Sequence, residues 1–119
     1  MSIKKDRTLI MDRQGEFRIR AYGPNHCGTV EDLLIKYQMI CECSTRLDTR
    51  GFLFDQINVD NFFQAIRKSQ LSCERLVIQS TRKLVKAIRL ENPKCEIKRV
   101  KLTLSPAPFM ARMTYEWAD

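Results

Sequence analysis

The chain of 119 residues contains one histidine, His26, in the stretch Gly23-Pro24-Asn25-His26-Cys27-Gly28, with Glu31 and Asp32 close behind. An imidazole, a thiol and two carboxylates at this spacing could form an improvised metal or nucleophile site, but a Pro-Asn loop also carries such residues with no chemistry attached. A zinc centre built on three imidazoles is excluded, because two of its ligands do not exist. The cysteines are Cys27, Cys41, Cys43, Cys73 and Cys95. Their odd number and lack of C-x-x-C spacing argue against a secreted disulfide framework and against a four-cysteine zinc knuckle, so reduced thiols are expected. Cys41 and Cys43 fall on one face of an extended segment, where buried cysteine serves as a small hydrophobe.

Glu74 follows Ser72 at the start of a helical pattern. A carboxylate there complements the exposed N–H groups of the first turn, and it could equally accept N–H donors from a ligand. Further along the same pattern, Arg75, Arg82, Lys86 and Arg89 form a basic stripe, with Lys83, Lys94, Lys98, Arg99 and Lys101 nearby. The stripe reads either as an anion-binding surface or as the solvated face of an amphipathic helix. No aromatic residue stands between Phe63 and Phe109 to stack bases, which disfavours a single-strand platform. The net charge of +7 favours anionic partners without choosing among nucleic acid, a phosphorylated small molecule and an acidic protein.

The length predicts one domain. Residues 1–14 read as a basic leader and 15–119 as the folded unit. The apolar run Thr8-Leu9-Ile10-Met11 is too short for a signal segment and no stretch is long enough to span a membrane, so a cytoplasmic location is expected. Alternation predicts strands from Glu16 to Tyr22 and from Leu33 to Leu47. Asn58 is the expected cap of a first helix running to about Lys68, and Ser72 of a second running to about Leu90, stopped by Asn92-Pro93. Ile97 to Leu104 and Phe109 to Trp117 read as two further strands. Ser105-Pro106-Ala107-Pro108 lies between them as a rigid connection. One hairpin, two helices and another hairpin make an α+β domain, ββααββ, with a four-stranded antiparallel sheet and both helices on one face.

Three stretches resemble the tunnelling fold, or T-fold, and within it the 6-pyruvoyl-tetrahydropterin synthases and 6-carboxy-tetrahydropterin synthases. Leu47-Asp48-Thr49-Arg50-Gly51-Phe52-Leu53-Phe54-Asp55 is similar to that family's D-x-x-G segment, and Ser72-Cys73-Glu74-Arg75-Leu76-Val77 to its second helix start. Ile97 to Tyr115 is similar to its terminal hairpin. The resemblance covers about residues 15–117. It implies a homo-oligomer, a tetramer or larger ring closing a barrel, with a pterin- or purine-like ligand held between subunits near Glu74 and Ser105-Pro106.

The departures from the family are as specific as the matches. Its zinc histidines have no counterpart in Phe17 to Tyr22 or Thr29 to Leu33, its catalytic Asp-His segment between the helices is missing, and its ring-gripping Glu-Thr is replaced by Leu104-Ser105. The resemblance therefore implies neither metal nor cofactor, and a protein without zinc-dependent lyase activity that binds a ligand or plays a structural part. A second T-fold family, the metal-free dihydroneopterin aldolases and epimerases, is similar at Glu74 and Pro106 but has a lysine where Ser105 stands. A metal-free pterin enzyme is thus the alternative, and a basic nucleic-acid-associated protein a further one.

Overall fold

The computed structural model describes residues 8–22, 30–44, 56–66 and 72–118. Two long strands, β1 (Thr8–Tyr22) and β2 (Val30–Ser44), pair antiparallel along their whole length, with Phe17 opposite Ile35 and Gly15 opposite Tyr37. Two helices follow, α1 (Gln56–Gln64) and α2 (Cys73–Glu91), and then the strands β3 (Ile97–Pro106) and β4 (Met113–Ala118). The sheet runs in the order β1-β2-β3-β4 and every pairing is antiparallel.

Period-two alternation decides which face each residue takes. Phe17 and Ile19 of β1, Leu33 to Cys43 at odd positions of β2, and Val100, Leu102 and Leu104 of β3 are buried on one face. Both helices cover that face: α2 packs on β3 and β4, and α1 on β1. The buried stripe of α2 comprises Cys73, Leu76, Val77, Ser80, Thr81, Leu84, Val85 and Ile88. Thr81 returns its hydroxyl to Val77 O at 2.6 Å, so its burial leaves no polar atom unmatched. Removing a side chain such as Ile88 or Phe63 from water is worth about 2–3 kcal/mol each. The opposite face of the sheet is polar and uncovered by any described element.

Helix α2 is bounded as its sequence dictates. Ser72 caps it with extended backbone (φ −62°, ψ 161°), its hydroxyl accepting from Arg75 N at 3.3 Å, and Asn92 N–H closes the last turn on Ile88 O at 2.9 Å.

Strand β2 starts at Val30 where Leu33 was expected, α1 ends at Gln64 where about Lys68 was expected, and four further boundaries differ from the sequence reading for a physical reason. First, β1 begins at Thr8, so residues 8–14, read as leader, extend the strand. Its inward side at this end carries Arg13 and Gly15 in place of apolar residues, and the alternation signal is lost there. Second, α1 begins at Gln56, which puts Asn58 inside the helix instead of at its cap. The Asn58 side-chain amide donates to Glu91 Oε1 and ties α1 to the end of α2. Third, Ser105 and Pro106 belong to β3, where Pro106 closes the ladder opposite Ile35 and is not required to donate. Fourth, β4 begins at Met113, because Phe109 takes a left-handed conformation (φ 70°) that no strand accommodates. The glycine-turn segment Leu47 to Asp55 and the His26-Cys27 loop lie outside the described residues.

Tyr37 joins the sheet to α1. Its ring stacks on Phe63 with centroids 4.0 Å apart, and its hydroxyl donates to Asp60 Oδ1, which also accepts from Arg13 Nε at 3.1 Å. A Cβ placed on Gly15 would stand 2.5 Å from the Tyr37 hydroxyl oxygen. The Arg13 guanidinium holds the Asp60 carboxyl below the usual carboxylate range, while burial and the bond to Asp60 push the Tyr37 phenol up to about 12.

Gly15→Ala should therefore cost about 1–3 kcal/mol in urea unfolding, since the ring must leave either Phe63 or Asp60. Unchanged stability would show that Tyr37 has room to move.

A depressed Asp60 contributes stability above the unfolded carboxyl value of about 4 and loses it as pH falls through the folded one. The stability difference between the wild type and Asp60→Asn should be constant near pH 7 and shrink below about pH 4. A difference independent of pH down to 2 would contradict the ion pair.

Candidate functional site

Where β3 leaves the sheet, a tight connection builds one wall of a cleft on the polar face. Ala107 N–H donates to Leu34 O at 2.8 Å, and Phe109 N–H to Pro106 O at 2.7 Å. The Ser105 hydroxyl donates to Ala111 O at 3.0 Å. The left-handed backbone at Phe109 turns its ring back over the sheet, where the Lys36 ammonium lies 4.2 Å from the ring centroid. Lys36 is the register partner of Ser105. The cleft holds about 380 Å³, and its walls include Lys36, Gln38, Thr103, Ser105, Phe109 and Arg112.

Among the described residues no carboxylate or imidazole lines this cleft. With Ser105 already committed to a backbone carbonyl, its walls offer cations, amides, hydroxyls and an aromatic surface. Those groups complement an anionic or polar molecule better than a cation, and none of the described lining residues pairs as general acid and base.

Glu74 is exposed in the first turn of α2, directly after the Ser72 cap, and does not line the Ser105 cleft. Within one chain the two predicted ligand positions are therefore not in one cavity, and Pro106 is buried beside Ile35. Of the predicted basic stripe, Arg75, Arg82 and Lys86 share a groove of about 400 Å³ with Ile78, Gln79 and Lys83. Arg89 turns away, its guanidinium 4.9 Å from the centroid of the Trp117 ring. Lys36, Phe109 and Arg112 escaped the sequence reading. Their signal was Phe109-Met110, an apolar pair beside an arginine in a connection that should be polar; Met110 is 89% exposed.

The donor set does not fit a zinc centre. Arg18 and Arg20 project from the polar face of β1, where Arg20 Nε lies 3.5 Å from Asp32 Oδ1, and guanidinium groups repel a divalent cation. Among the described residues no three His, Cys, Asp or Glu side chains are grouped to hold a metal.

Cys41, Cys43, Cys73 and Cys95 are buried free thiols. Cys43 donates to Leu9 O at 3.5 Å, and its contact with Cys41, together with burial, pushes its thiol far up. Burial likewise pushes Cys95 up to about 12. Since the thiolate is the reactive species, these side chains are core filling, as expected for Cys41 and Cys43.

Comparison with solved structures gives the fold a family likeness. The chain superposes on 6-pyruvoyl tetrahydropterin synthase from Plasmodium vivax with a TM-score of 0.66 at 9% identity, covering 96% of this chain and 100% of that one. The Plasmodium falciparum synthase gives 0.63 at 7% identity, covering 94% and 99%. No protein-family model and no curated protein matches the sequence. At such identity the likeness establishes the fold, and the fold is the ββααββ T-fold of the 6-pyruvoyl tetrahydropterin synthases.

The buried thiols generate a chemical prediction. In native protein at pH 8, Cys41, Cys43, Cys73 and Cys95 should react with Ellman's reagent far more slowly than free cysteine, and all should react at once after denaturation. A fast native reaction mapped by mass spectrometry to any of the four would show an accessible thiolate.

Proposed function

We propose that this chain is a T-fold protein of 6-pyruvoyl-tetrahydropterin synthase ancestry without zinc-dependent lyase activity, acting as a cytoplasmic homo-oligomer that binds a pterin- or purine-like molecule or serves a structural part. The observation that carries the reading is the pairing of a nearly full-length match to that fold with a sequence that holds a single histidine, His26, too few for a centre of three imidazoles.

The placement of the predicted ligand residues supports it. Helix α2 turns straight into β3 through Asn92 to Glu96, and Cys95 N–H bonds Asn92 O at 3.1 Å. A helix of 19 residues spans about 28 Å and a strand of 10 residues about 33 Å, so α2 and β3 are of comparable length on either side of that turn. Glu74 and Ser105-Pro106 thus lie toward one end of the sheet. A neighbouring subunit at that end would complete a pocket between them.

Assembly has its own support. Among the described residues no strand pairs with the outer edge of β1 or β4, β1 leaves 15 residues there, and its Leu9 and Ile10 are 36% and 58% exposed. A long unpaired edge calls for a partner strand, and successive heterologous pairing closes a ring. No helix among the described residues is long and apolar enough to cross a membrane.

The metal-free aldolase-like alternative keeps Glu74 and Pro106 but has Ser105, whose proton is committed to Ala111 O, in place of a titrating group. The α2 groove of Arg75, Arg82 and Lys86 favours the second reading, a nucleic-acid-associated role.

Light scattering at micromolar concentration should give a tetramer or larger ring with zinc far below one ion per subunit; a monodisperse monomer or stoichiometric zinc would refute the corresponding part. In calorimetry against neopterin and guanine, Glu74→Gln should weaken binding roughly tenfold with assembly intact, the cost of unpaired N–H donors in a desolvated pocket. Absence of wild-type binding at millimolar ligand would remove the heterocycle, and equal binding by the variant would reduce Glu74 to a helix cap.

A further inference from the structure

Across the middle of the polar face, Gln14, Gln38, Thr103 and Thr114 stand in one row, each the register partner of the next. The Thr103 and Thr114 hydroxyls share a hydrogen bond of 2.9 Å. A second cleft of about 190 Å³ sits on this row, lined by Gln38, Ile40, Lys101, Thr103, Arg112 and Thr114. It shares Gln38, Thr103 and Arg112 with the Ser105 cleft, so the two are continuous along the face.

The charges around it do not cancel. Glu116 stands opposite Lys101 but is taken by Arg99 at 2.9 Å, and Arg99 also lies 3.9 Å from Glu42. Asp12 receives the Gln38 amide at 3.3 Å on both oxygens. Glu16 is the register partner of Lys36 at the other end of the face. Among the described residues neither Lys101 nor Arg112 has a carboxylate within ion-pair distance. Two cations therefore flank a shelf of threonine hydroxyls, with an aromatic ring and a methionine beside them.

We propose that this face carries a phosphate site: Arg112 and Lys101 neutralise a phosphomonoester dianion, Thr103 and Thr114 offer hydrogen bonds to its oxygens, and Phe109 with Met110 receives the flat group attached to it. Arg112 lines both clefts and supplies the planar fork that suits phosphate oxygens. Glu74 is no part of this site, so its ligand does not depend on the pocket proposed above.

Inorganic phosphate, guanosine 5′-monophosphate and guanosine are titrated calorimetrically into the assembled wild-type protein at fixed ionic strength, and into Arg112→Gln, Lys101→Ala, Phe109→Ala, Lys86→Ala and Glu74→Gln. The site requires that phosphate-bearing ligands bind, that Arg112→Gln and Lys101→Ala each weaken them about tenfold, that Lys86→Ala leaves them unchanged, and that inorganic phosphate, which has no ring for the Glu74 pocket, binds Glu74→Gln as it binds the wild type. Tighter binding of the nucleotide than of free phosphate, lost selectively in Phe109→Ala, identifies a phosphate carried on a ring. Equal binding of the two identifies free phosphate as the ligand. The proposal is overturned if neither phosphate compound binds at millimolar concentration, or if guanosine binds Glu74→Gln, in which the other pocket is disabled, as well as its monophosphate does. Equal losses in Lys86→Ala and Arg112→Gln would overturn it too, by showing diffuse attraction to a basic protein. Circular dichroism of each exposed-residue variant confirms that the comparison is between folded proteins.

Discussion

The architecture turns on Tyr37. Its side chain is 3% exposed, stacked on Phe63 from α1, lies above the bare backbone of Gly15, and ends on a carboxylate that also binds Arg13. Helix α1 has nine residues and no acidic residue in its first turn, too short to hold its shape in water unaided. It persists because Val59 and Phe63 are buried against the sheet and because Asp60 gives it a fixed polar anchor. The Gln64 side chain adds a bond to Glu16 O at 2.9 Å. One aromatic residue, given space by one glycine, thus fixes where the first layer of helix meets the sheet.

That anchoring has a consequence for the opposite face. Because α1 and α2 both satisfy themselves on one side, Arg13 points inward and is matched there, and no buried side-chain nitrogen or oxygen among the described residues lacks a partner. The other side is left with residues that alternation requires to be polar, and nothing in the core competes for them. Ligand recognition on this fold is accordingly a property of the helix termini and of the uncovered face, while the interior is committed to packing.

The sequence was most legible where local and long-range signals agree. Helix α2 carries a cap at Ser72 and a proline stop at Pro93, and both stood where the pattern put them. The core strand β2 was visible through its odd positions, cysteines included. The start of β1 was not, because its inward sites hold Arg13 and Gly15, whose fitness is defined by Asp60 and Tyr37 elsewhere in the chain. Asn58 reads as a cap locally and acts as a tie to α2. In the candidate cleft, Ser105 and Pro106 were singled out through the T-fold resemblance, whereas turn chemistry read them as a connection when they close β3. Lys36, Phe109 and Arg112 were not, since their association depends on the β2–β3 register and on one left-handed residue.

The two basic surfaces now stand on opposite sides of the molecule, the α2 groove facing outward and the Lys101–Arg112 cleft on the uncovered face of the sheet. A layer of sheet and a layer of helix separate them, about 20 Å in all, which is two or more screening lengths at physiological salt. Under those conditions each surface meets anions independently, so the excess of 21 Lys and Arg over 14 Asp and Glu does not act as one field. At low ionic strength the screening length reaches that separation and the two add. Selectivity must then come from shape and lining: among the described residues the α2 groove offers a row of cations with no aromatic wall, suited to a backbone of repeated charge, whereas the sheet face offers hydroxyls, a guanidinium and a phenyl ring converging on one small volume. The second arrangement can distinguish one phosphate from another, and the first cannot.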